Sequence, residues 1–186
     1  MTDEVHLPQP PRPRTLVHPG PVAPVRIQHR HAACARHVRL ALEPGLSLHD
    51  AIVAPLRERG IECASMTILG GRLASLAWCV APPDPSGERV ATYARPIEAG
   101  PAFLVFGNAT LGKGVRGEPL VHCHASFVLA DGRVRGGHVV VDRSVVGTST
   151  MAVLATSLDG FELRVSHDAE TAMPLMRPVA AEVAHA

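Results

Sequence analysis

Glycine and proline, 16 and 17 of the 186 residues, punctuate this chain so regularly that its apolar runs stay short and each ends in a turn signal. Such a chain cannot sustain long helices; it folds as short strands joined by tight turns. Strands are expected over 37–42, 62–69, 73–80, 102–106, 120–129, 134–142, about 150–156 and 161–165. One helix stands among them. Ser47 caps it, Asp50 occupies the acidic position of a capping box, and Gly60 stops it. Leu48, Ala51, Ile52 and Leu56 supply its apolar stripe, and Pro55 is expected to bend it. The implied class is α+β, a largely antiparallel sheet packed with one or two helices.

Composition narrows the function. Hydrophobic residues at 46 % against 19 % charged describe a globular chain long enough to bury one core. A formal net charge of +1 leaves no basic field for nucleic acid or an anionic membrane. Aromatics at 3 % are too few for a base-stacking platform. No apolar stretch approaches a membrane span, and the N-terminus has neither a basic start nor an apolar segment for export. Cys34, Cys63, Cys79 and Cys123 lack paired spacing, so neither a disulfide framework nor a cysteine zinc site is expected. A reduced, cytoplasmic setting follows as the expectation. Seven prolines at or before Pro24 make 1–33 an extended, disordered arm, with a folded unit over 34–178 and a short tail over 179–186.

The chemistry concentrates in one hairpin. Residues two apart on a strand share a face, so His122 and His124 project together and Cys123 turns away. Ala130-Asp131-Gly132 suits a three-residue loop with glycine in the left-handed region. Leu129 then faces Arg133, and equal counting places His124 opposite His138, with His122 diagonal to it. A two-residue turn at Asp131-Gly132 would instead send His138 to the other face. In the first register Gly136 faces Ser126 and leaves room beside three imidazoles, the pattern of a metal site with one position free. Zinc suits best; nickel, copper and iron are the alternatives. The competing reading is a solvated sheet face or histidines hydrogen-bonded at a subunit contact.

His122-x-His124, Asp131-Gly132 and Gly136-Gly137-His138, with Leu42-Glu43-Pro44-Gly45 before the helix and Gly60-Ile61 after it, resemble the plants-and-prokaryotes-conserved (PPC) domain. The resemblance runs over roughly 36–177. It implies a compact α+β fold, a homotrimer, and a metal held by His122, His124 and His138. Plant relatives join the domain to AT-hooks and act in chromatin, which makes DNA association the alternative function. Three departures weigh against that alternative. Arg12-Pro13-Arg14 lacks the glycine of an AT-hook. The plant hexapeptide Gly-Arg-Phe-Glu-Ile-Leu would fall near 100–105, where its Arg and Glu are missing. The usual Thr-Ala-Glu-Val becomes Thr150-Met151-Ala152-Val153, removing an acidic residue near the site.

Gly107 to Lys113 fits a phosphate-loop pattern, but Gly114 follows where Ser or Thr is needed, and no helix can start there. A mobile glycine-rich loop beside the histidine strand is expected instead, with Lys113 read first as an ordinary solvated loop lysine and second as a contact to a substrate anion. Ser126 is the second expected substrate contact. No general base is identifiable. The leading expectation is a homotrimeric protein that binds a divalent metal, with a small-molecule or catalytic role.

Overall fold

The computed structural model describes residues 16–180; the Arg12-Pro13-Arg14 motif and the last six residues lie outside them. The chain forms β1 (His37–Leu42), α1 (Leu48–Arg57), β2 (Ala64–Ile68), β3 (Gly71–Cys79), β4 (Ile97–Lys113), β5 (Pro119–Leu129) and β6 (Val134–Val139). A short 3-10 turn (Val141–Arg143) leads to β7 (Val145–Val146), β8 (Met151–Ser157), β9 (Phe161–Asp168) and β10 (Met173–Ala180). The strands pair antiparallel except at one β4–β9 contact, Lys113 with Arg164. This is the expected α+β class.

The helix forms for the reasons its sequence gives. Ser47 Oγ accepts from the Asp50 amide at 3.0 Å, and Gly60 takes a left-handed φ of +63° just past the end. Pro55 falls in the last turn, where only one helical hydrogen bond depends on the amide it lacks. Leu48, Ile52 and Leu56 are wholly buried, in one core with sheet residues that include Met66, Leu104 and Phe127. Burying side chains of this size contributes about 1.5–3 kcal/mol each.

The sheet runs β1-β8-β2-β4-β5-β6-β3-β7, and β3 also pairs with β4. The pairings β4–β5, β5–β6, β6–β3 and β3–β4 therefore form a closed circuit. Strand β4 makes this circuit by its length. Its N-terminal half pairs with β3, its C-terminal half with β2, and its other edge with β5.

That strand corrects the sequence reading of 107–113. The expected mobile loop is instead the C-terminal end of β4, hydrogen-bonded to β2 on one side and β5 on the other. Its glycines serve packing. A Cβ on Gly112 would lie 2.6 Å from the Leu163 carbonyl oxygen and 2.8 Å from Met176 Sδ. Gly112 thus lets the β9–β10 hairpin close onto β4. The actual turn is shorter: the Gly114 amide donates to the Glu118 carbonyl at 2.8 Å, and Gly117 takes φ +87°.

Strand β10 escaped the sequence reading because Pro174 and Pro178 argue against a strand. Among the described residues it pairs with β9 alone, so its prolines withhold no hydrogen bond from a second neighbour there. The arm from Leu16 to Ala33 has no helix or strand, as expected, yet part of it is tied down rather than loose. The Gly20 amide donates to the Glu170 carbonyl at 3.0 Å, the Ala23 amide to Glu170 Oε2 at 2.9 Å, and Arg26 Nη2 to Glu170 Oε1 at 2.6 Å.

Candidate metal centre

Strand β5 alternates strictly: Val121, Cys123, Ala125 and Phe127 face the core, and His122, His124 and Ser126 face outward. Apolar packing fixes which face is which. Phe127 is fully buried and meets Trp78 edge-on at 5.2 Å between ring centroids, so a one-residue slip would expel it. Burial raises the Cys123 thiol to about 12, which leaves it a core residue rather than a nucleophile.

The β5–β6 register is the one counted from the sequence. The Leu129 amide donates to the Arg133 carbonyl, Gly132 takes φ +80°, and His124 pairs directly with His138. Ser126 pairs with Gly136. The two glycines before His138 have separate jobs. A Cβ on Gly137 would meet the Cys79 carbonyl oxygen at 2.6 Å and Trp78 Cε3 at 2.9 Å, so only glycine lets β3 come this close to β6. At Gly136 the nearest side-chain atom to such a Cβ is Ser126 Oγ at 3.7 Å, beside the histidines.

The three imidazoles converge. Ring centroids lie 4.9 Å apart for His122–His124, 4.8 Å for His122–His138 and 5.4 Å for His124–His138. One ring nitrogen from each lies within 4.8 Å of the other two. Burial first, then the neighbouring rings of His122 and His124, lowers His138 to about 4. Burial, then His124, lowers His122 as well. Both rings are therefore neutral near pH 7 and keep the lone pair that a cation needs. Among the described residues, the Nδ1 of His138 is buried with no hydrogen-bond partner. An orphaned buried nitrogen is costly unless something not yet in place satisfies it.

Tyr93, which the sequence reading missed, lies against His138 at 5.0 Å between centroids. The chain has a single tyrosine, and its place just after a proline-rich loop was the one available signal. Tyr93, His122, His138 and Thr110 line one end of a groove of about 640 Å³, which continues between β5–β6 and the β9–β10 hairpin.

Lys113 is not brought to the histidines. Its ammonium lies 2.6 Å from Glu162 and 2.7 Å from Glu62, and it lines a separate small hollow with Arg57 and Gly117. Hydrogen bonding to Glu162 and then Glu62 raises its pKa. The 150–153 segment, where the resemblance implied a missing acidic residue, leads into β8, separated from β5 by β2 and β4 in the sheet order.

Comparison with known proteins agrees with this architecture. The family model described as Plants and Prokaryotes Conserved (PCC) domain matches residues 29–159. Among solved structures, a metal-containing protein from Archaeoglobus fulgidus is similar at 20 % identity and a TM-score of 0.61, over 82 % of this chain and 99 % of that one. A plant- and prokaryote-conserved (PPC) protein from Pyrococcus horikoshii gives 20 % identity and 0.61, over 82 % and 100 %. A protein from Ralstonia eutropha JMP134, provisionally named as DNA-binding, gives 16 % and 0.60, over 75 % and 89 %. No curated protein matches the chain. At these identities the solved structures establish the fold.

Proposed function

This chain belongs to the Plants and Prokaryotes Conserved (PCC) domain family, and from that premise we propose that it binds a divalent metal ion, zinc by preference, through His122, His124 and His138. The observation that carries the reading is the convergence of one nitrogen from each ring within 4.8 Å. Two further observations test the fit. The donors are imidazoles, at least two of which burial keeps neutral. One of their nitrogens is buried without a partner. Three nitrogen donors with open space beside them suit zinc and leave a position for a further ligand.

A bound divalent ion would supply Lewis acidity toward an oxygen donor. The chain's own residues do the rest: Tyr93 packs against the His138 ring, and the groove opens beside His122 and His138. Ser126, on the same face as the histidines, is the nearer of the two expected substrate contacts. Lys113 could act only by leaving Glu162 and Glu62. The homotrimer belongs to the same proposal. Phe103, Val105 and Phe106 on β4 are about half exposed, and a shared interface would cover them.

Metal analysis of tag-free protein tests the reading. We expect about one divalent ion per chain, lost in His124→Ala while the fold survives. Protein that takes up no metal would overturn it. Light scattering on the same sample checks for three copies.

A further inference from the structure

The groove beside the histidines has one polar end, one carboxylate at Asp142 and otherwise apolar walls. His122, His138, Tyr93 and Thr110 form the polar end. Leu163, Val165, Met173 and Met176, from the β9–β10 hairpin, form the opposite wall. Among the described residues that line it, Asp142 is the only one with a full charge, and none is lysine or arginine. A ligand carrying several negative charges, such as a phosphate ester, would find no cationic side chain here. A single anionic head has one place to go, the side of the imidazole cluster that His122 and His138 present to the groove.

Resting on the metal reading above, we infer that this groove takes a small amphiphile, a monocarboxylate whose head meets the histidine-held ion and whose apolar body lies against the β9–β10 hairpin. The volume of about 640 Å³ lies in the range of small-molecule sites. Two methionines in the wall give an adaptable surface that fits unbranched chains.

The wall is held at both ends, as a binding surface must be. Gly112 lets Leu163 and Met176 sit directly on β4. At the far end, Glu170 beside the hairpin tip collects the Ala23 amide, Arg26 and His18, so the N-terminal arm straps the hairpin down. The Val90 amide adds a bond to the Thr171 carbonyl at 2.9 Å. All four wall residues lie beyond the family match, which ends at residue 159.

Calorimetric titration of the zinc-loaded, full-length protein with octanoate and with acetate tests the inference. Octanoate should bind at about one per chain and about tenfold or more tighter than acetate, since each buried methylene adds affinity. Removing the metal with a chelator should weaken octanoate by about tenfold or more. Leu163→Asp should do the same at unchanged metal content; Met173→Glu, on the more exposed strand, serves if the first variant fails to fold. Equal binding of the two acids overturns the inference, as does octanoate binding that ignores the metal. So does a Leu163→Asp variant that fails to change octanoate binding, or one that instead dissociates an oligomer, which would make the groove a contact between copies. Metal uptake is measured before any acid is added, so failure of the metal reading is seen separately and overturns both.

Discussion

His124 faces His138 directly across β5 and β6, and from the other side β3 pairs Cys79 with that same His138. The backbone of His138 is thus held on both edges by neighbouring strands. Its Cα is thereby fixed beside the cluster, and among the described residues its buried Nδ1 has no hydrogen-bond partner.

Replacing that ring separates stability from function. In metal-free protein, His138→Phe removes a buried unsatisfied nitrogen and keeps an aromatic ring against Tyr93. We expect a gain of about 1 kcal/mol in thermal or urea unfolding, with metal uptake abolished. A variant that is both less stable and still metal-binding would contradict the site.

Acid should destabilise the metal-free protein in a defined window. His138 is lowered to about 4 from an ordinary 6.5. Between those values the unfolded chain binds a proton that the folded chain refuses, so stability rises with pH. It is complete above about 6.5 and falls as the pH drops toward about 4. With solvent screening at a partly buried ring, the loss is on the order of 1–2 kcal/mol, or about 2–8 °C in melting temperature. His138→Phe should flatten the profile over this range; an unchanged slope would remove His138 as its cause.

Gly112 carries no chemistry, only proximity. Gly112→Ala places a Cβ against a backbone oxygen that cannot swing aside. A cost of about 1–3 kcal/mol is expected. Hydrogen exchange should quicken over 161–180 and stay unchanged in β1 and β8. Uniform protection in the variant would show that the hairpin does not depend on this contact.

DNA association, the alternative that the Ralstonia eutropha name raises, has a direct check. Phosphate contacts dominate such binding and are strongest at low salt. With a net charge of +1 and a single lysine held between two carboxylates, the protein should not be retained by duplex DNA at low ionic strength. Retention that weakens steeply with salt would restore the DNA reading.

Much of the site was legible because strand geometry is local. A period of two puts His122 and His124 on one face, and the glycine in Ala130-Asp131-Gly132 sets the loop length that brings His138 opposite. The helix was legible for a similar reason, since its cap, apolar stripe and stop are neighbours in sequence. Residues 107–113 were not. Glycines in a strand and glycines in a loop read alike until the segment that presses on them is known.

By itself, then, the chain's order of residues determined the helix, most of the strands, the hairpin register and the meeting of three imidazoles, all consequences of short-range backbone geometry. Only the tertiary structure decided that β4 runs unbroken to Lys113, that Glu162 and Glu62 hold that lysine, and that a proline-bearing β10 joins β9 to wall a groove beside the histidines. The lysine's partners and the seating of the hairpin depend on contacts between segments far apart in the chain, such as Gly112 with Leu163 and Glu170 with Ala23. No local pattern encodes such contacts, because each partner's suitability is defined only by the other's position.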